Sequence, residues 1–104
     1  MSRKNQVATL DALAFREWLE ARRDQLVGCS AEDEYCPLAR FLTEKSGSEC
    51  YSIGYRSYRV KQSRVGISLP AWAAAFVKCL DFTHPLEEVA GWQALRILDE
   101  VSHA

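Results

Sequence analysis

The period of hydrophobicity changes twice along this chain, and that change limits the fold more than any other feature. From Thr9 the apolar residues recur at three- and four-residue spacing: Leu10, Leu13, Ala14, Trp18 and Ala21, widened by Phe15 and Leu19. That is the spacing of one face of an α-helix, and Arg16, Glu17, Glu20, Arg23 and Asp24 fall largely on the other side. Thr9 can cap such a helix, and Gly28 punctuates its end, so a helix is expected from about Leu10 to Gln25. Between residues 50 and 69 the period drops to two. Cys50 to Ile53 alternate, Tyr58 and Val60 oppose Arg59 and Lys61, and Val65, Ile67 and Leu69 alternate with Gly66 and Ser68. Three short strands at hairpin spacing predict an antiparallel meander. After Pro70 the helical period returns.

Two more helical segments follow from local chemistry. A proline is well placed in a first helical turn, where its missing N–H has no partner to lose, and the residue before it takes an extended conformation. Pro37 therefore starts a helix capped by Cys36, buried through Leu38, Ala39, Phe41 and Leu42 and stopped at Gly47. Pro70 starts another, with Trp72, Ala73, Phe76, Val77 and Leu80 inward and Ala73 to Ala75 small enough for close packing. Thr83, His84 and Pro85 break the chain, and a last helix runs from Gly91 to about Ser102, with Leu95, Leu98 and Val101 inward beside Trp92. The expected order is α-α-β-β-β-α-α. This is an α+β domain in which about four helices pack on one face of a small three-stranded antiparallel meander. Residues 9–104 form the single domain, and residues 1–8 are expected to be a flexible N-terminus.

A length of 104 residues gives room for one such domain. With 48% apolar, 26% charged and 11% aromatic residues the chain is globular rather than disordered. No stretch is long and apolar enough to span a membrane, and no export signal opens the chain, so a soluble, cytoplasmic protein is expected. In a reducing cytosol Cys29, Cys36, Cys50 and Cys79 are free thiols; in a secreted domain four cysteines could form two disulfides.

The net charge of −1 hides a segregation. Residues 51–69 carry Arg56, Arg59, Lys61 and Arg64 and no acid, whereas residues 25–50 and 70–104 are each acidic on balance. Tyr51, Tyr55 and Tyr58 interleave with the basic residues. Tyrosine and arginine are enriched at protein hot spots; cations beside aromatic faces also suit single-stranded nucleic acid. The plain alternative is that the tyrosines face the core while the cations keep an outer face solvated, and alternation favours this for Tyr58. The candidate interaction surface comprises Tyr51, Tyr55, Arg56, Arg59, Lys61 and Arg64. Without an overall positive field, nucleic-acid binding through it would be weak and salt-sensitive.

Candidate chemistry is sparse. Cys36 at a helix N-terminus is the candidate reactive thiol, since exposed N–H groups stabilise a thiolate. Glu32, Asp33 and Glu34 just upstream oppose this, and burial beside Leu38 to Leu42 would leave it inert. Cys50 and Cys79 read as packing. The cysteines lack the close pairs of a structural zinc site. His103 is next to last, and His84 precedes a proline with no nucleophile near it in sequence. Glu87 and Glu88 have no facing acid, and no phosphate loop or nucleophile elbow is present. No catalytic residues, metal or cofactor are expected. Trp18, Trp72 and Trp92 read as core, with Trp92 beside Gly91 the alternative partner anchor. The expectation is a non-enzymatic domain that binds another protein, with weak nucleic-acid binding and a redox or metal site at Cys36 as the competing readings.

Overall fold

The computed structural model describes residues 10–47 and 49–102. The expected flexible N-terminus, the Thr9 cap and His103 lie outside them. The elements in chain order are α1 (Ala12–Glu20), β1 (Leu26–Cys29), α2 (Pro37–Ser46), β2 (Tyr51–Ile53), β3 (Ser57–Val60), β4 (Ile67–Ser68), α3 (Ala71–Thr83), β5 (Glu88–Ala90) and α4 (Gly91–Ser102). Among the described residues the fold is α+β: four helices, an antiparallel meander in the order β2-β3-β4, and a second antiparallel sheet of β1 and β5. This second sheet inserts a strand after the first helix and another before the last, so the order is richer than the expected one.

The second sheet also explains why α1 stops at Glu20 rather than near Gln25. The Arg22 N–H closes a tight turn on the Leu19 carbonyl at 2.9 Å. The Arg23 and Gln25 carbonyls then point away from α1 and accept the N–H groups of Trp92 and Gly91, at 3.1 and 2.9 Å. The first turn of α4, whose N–H groups have no intrahelical partner, is thus satisfied by the segment that would have continued α1. Gln93 adds the second half of a capping box by accepting the Ala90 N–H at 2.8 Å. Glycine is required at 91 because a Cβ there would lie 2.2 Å from the Arg22 carbonyl oxygen.

The other helix boundaries follow from their punctuation. Cys36 is extended (φ −70°, ψ 162°) ahead of Pro37, and Gly47 closes α2 in the left-handed region (φ 84°) with its N–H on the Thr43 carbonyl. In α1 the buried stripe centres on Phe15 and Leu19, while Leu13 and Ala21, expected inward, are exposed. Phe15 is fully buried and collects four rings around it: Phe76 edge-on at 5.2 Å, Phe41 at 5.3 Å, Trp72 at 5.9 Å and Trp18 at 6.2 Å. Trp18 and Trp72 are half-buried against this core, but Trp92 is 46% exposed. The inward face of α4 is set by Gly91, Ala94, Leu95, Ile97 and Leu98. Trp92 instead lies in phase with Arg96 and Glu100 on the outer face, so the core reading of Trp92 does not hold.

Candidate functional site

The meander puts two different chemistries on its two faces. Tyr51 pairs with Val60, Ile53 with Tyr58, and Tyr58 with Ile67. Because cross-strand partners share a face, these side chains form the inner layer: Tyr51, Ile53 and Tyr58 are buried, and the two tyrosine rings lie 6.3 Å apart. The opposite face holds Ser52 opposite Arg59 and Ser57 opposite Ser68. Ser57, Arg59 and Ser68 are exposed. Tyr51 therefore leaves the interaction surface. It is completely buried, because its register places it beneath the sheet with Tyr58. Val65, expected on the inner side, is 71% exposed, since regular pairing in the third strand is confined to Ile67 and Ser68.

The cations divide into those the fold uses and those it leaves. The Lys61 ammonium pairs with Glu34 at 3.2 Å, tying β3 to the acidic loop before α2. Arg59 donates one guanidinium nitrogen to the carbonyls of Lys61 (2.9 Å) and Ser63 (3.1 Å), which shapes the connection to β4 without neutralising the charge. Arg56 stands exposed in the β2–β3 turn and Arg64 in the β3–β4 connection. Among the described residues, no ion pair joins Arg56, Arg59 or Arg64 to a carboxylate. Their charge faces solvent, next to a sheet face of small serines.

Tyr55 faces away from this cluster. Its hydroxyl donates to Asp81 of α3 at 2.8 Å, and that hydrogen bond, then the charge of Asp81, raises its pKa. The other Asp81 oxygen accepts the Ala31 N–H at 2.9 Å. Asp81 thus joins α3, the acidic loop and the β2–β3 turn. Its one signal in the sequence is its phase: it follows buried Val77 by one helical turn, so a carboxylate sits in phase with the core stripe of α3.

Beneath Tyr55 lies a cleft of about 150 Å³ whose floor includes Cys36, Ile53 and Val77, with Asp33 and Asp81 at its rim. Cys36 is buried. Two influences compete at its thiol. The Ala39 and Leu38 N–H groups at the start of α2 favour the thiolate, as a helix N-terminus should, but burial disfavours it more strongly, and Asp81 and Asp33 add to burial. The thiol is pushed up from 9.0 to about 12. It is therefore protonated at neutral pH and shielded, the opposite of an activated nucleophile. Cys29 is raised too, by burial and then by Glu32 and Glu88.

Cys29, Cys36, Cys50 and Cys79 are free cysteines. Among the described residues no three His, Cys, Asp or Glu side chains gather closely enough to hold a metal ion, and no helix is long and apolar enough to cross a membrane. The Nδ1 of His84 meets Glu87 at 3.4 Å. The hydroxyl that approaches His84, that of buried Ser30, donates to its backbone carbonyl and not to its ring. Ser30 also accepts the Glu87 N–H at 3.1 Å and so fastens the turn between α3 and β5. Glu88 lies in β5. Compared with known protein families, with curated proteins and with solved structures, the chain matches none.

Proposed function

We propose that the protein is a non-enzymatic binding module whose outer meander face receives another protein. The observation that carries this reading is the group of three cations, Arg56, Arg59 and Arg64, which among the described residues have no carboxylate partner and stand beside an exposed, serine-lined sheet face. Arginine in such a setting offers planar, bidentate recognition of carboxylates, with less hydration to shed than an ammonium. A partner presenting an acidic segment fits this surface. Nucleic acid fits it less well, because two of the three tyrosines that could stack on bases are buried and the third is bonded to Asp81. A redox role at Cys36 is opposed by the burial and raised pKa of its thiol. The four free thiols suit a reducing compartment such as the cytosol.

The test is charge reversal at Arg56, Arg59 and Arg64 together. A partner is cross-linked to the parent protein, identified by mass spectrometry and re-measured with purified components. The triple variant, with an unchanged circular dichroism spectrum, should bind that partner at least about tenfold more weakly, a loss of about 1.4 kcal/mol. Undiminished affinity would reject the surface.

A further inference from the structure

The two edges of the meander differ in a way that points to how a partner is held. Along β2, the outward N–H of Tyr51 is taken by the Thr43 hydroxyl at 3.1 Å and that of Ile53 by the Asp33 carbonyl at 2.9 Å. That edge is closed by the protein itself. The β4 edge is different. The Leu69 N–H bonds the Arg56 carbonyl at 2.9 Å, while the Ser57 carbonyl faces β2, where it accepts the Gly54 N–H at 2.9 Å. Hydrogen-bonded and non-bonded pairs alternate in an antiparallel ladder, so Ser68, opposite Ser57, turns its N–H and C=O away from β3. Gly66, two residues earlier, lies beyond the regular pairing with β3, beside the Ser57 side chain. Val65, Gly66 and Ser68 are all exposed. Exposed edge groups of this kind are a template for another strand.

The charge around this edge selects what would pair with it. Arg64 immediately precedes it in the chain, and Arg56 stands at its other end, where its carbonyl holds Leu69. Arg59 lies on the adjoining outer face. We infer that an extended, acidic segment of a partner protein adds to the meander as a further strand along Gly66–Ser68, its backbone paired with those residues and its carboxylates held by Arg56 and Arg64. This rests on the reading above that the basic meander is the contact surface, and specifies the partner's conformation and chemistry. Main-chain pairing gives such a complex its affinity, and the flanking side chains give it selectivity.

The probe is a short peptide of alternating glutamate and valine, titrated into the full ¹⁵N-labelled chain. Two further copies carry backbone N-methyl groups, one on the glutamates and one on the valines. Binding should shift the Gly66 and Ser68 amides and protect them from hydrogen exchange. One of the two methylated copies, the one whose blocked amides face β4, should bind at least about tenfold more weakly. Ser68→Pro should weaken binding similarly, since an edge proline whose N–H faced solvent is tolerated by a sheet. If that variant does not fold, the methylated peptides decide. Equal binding of all three peptides, still lost on Arg56→Ala with Arg64→Ala, would overturn strand addition and leave the basic contact surface standing. Failure of every peptide to bind would remove both. Protection of Gly66 and Ser68 that rises with protein concentration alone would show a second copy on the edge, and tighter binding to oligothymidylate than to the peptide would show nucleic acid. Either result overturns the acidic segment as occupant.

Discussion

Gly28→Ala offers a sharp test of how the acidic loop is seated. A Cβ at Gly28 would lie 2.4 Å from the Tyr35 carbonyl oxygen, 2.7 Å from the Pro37 nitrogen and 2.8 Å from the Cys36 carbonyl carbon. An ordinary carbon–oxygen approach is about 3.3 Å or more, so the loop would have to retreat by roughly 1 Å. All three obstructing atoms are backbone. The segment is also pinned, because the Cys29 N–H bonds the Tyr35 carbonyl at 2.9 Å and Pro37 and Leu38 are buried at the start of α2. Overpacking of this sort costs about 1–3 kcal/mol, and the alanine recovers only about 0.4–1 kcal/mol through the unfolded chain. A net loss of about 2 kcal/mol is expected. With a urea dependence of about 1–3 kcal/mol per molar for a small domain, the unfolding midpoint should fall by roughly 1 M. Gly54→Ala is the control, since its Cβ would meet only the Ser57 carbonyl oxygen, at 3.5 Å, and should change stability by under about 0.5 kcal/mol. Equal midpoints for the two variants would refute the packing of the loop across β1.

Other outcomes follow from features already described. Phe15→Ala removes the ring on which four others converge and should cost about 3–5 kcal/mol in chemical denaturation, whereas Trp92→Ala on the exposed face of α4 should cost under about 1 kcal/mol. Trp72→Ala should fall between them, because that ring is only half-buried. Cys36 should alkylate with iodoacetamide far more slowly in the native protein than in urea; comparable rates would mean that the thiol is exposed. Its raised pKa also carries a pH signature. Below pH 9 the thiol is protonated folded or unfolded. From pH 9 upward only the unfolded chain loses that proton, so the native state binds more protons and stability falls as pH rises toward about 12. The buried Tyr58 hydroxyl, raised from 10.0, adds a similar decline at higher pH. Between pH 9 and 10 the slope of stability against pH should therefore flatten in Cys36→Ala; an unchanged slope would contradict the shift.

Elements with strong local punctuation could be read from the residues alone. Cys36–Pro37 opens α2 and Gly47 closes it where their backbone preferences require, and Gly91 and Ser102 bound α4 as periodicity suggests. The inward phase of Tyr58 against Arg59 was equally legible. What escaped was non-local. The four residues of β1 and three of β5 are too short for periodicity to declare them, and each becomes a strand only because the other lies beside it. Trp92 misled because a large apolar ring near a helix start reads as core until the facing layer is known. Tyr51 misled because its face depends on its register with Val60, not on the charge of its neighbours. Asp81 connects three segments that are remote in sequence, so only its phase within α3 hinted at a role.

Gln25 and Arg23 complete α4, and β5 completes β1, so residues 23–29 and residues 88–92 finish one another. During synthesis, therefore, residues 23–29 must wait until residues 88–92 have been made. A product stopped before Glu88 would leave β1 without its partner strand and should be a substrate for proteases, not a smaller stable domain.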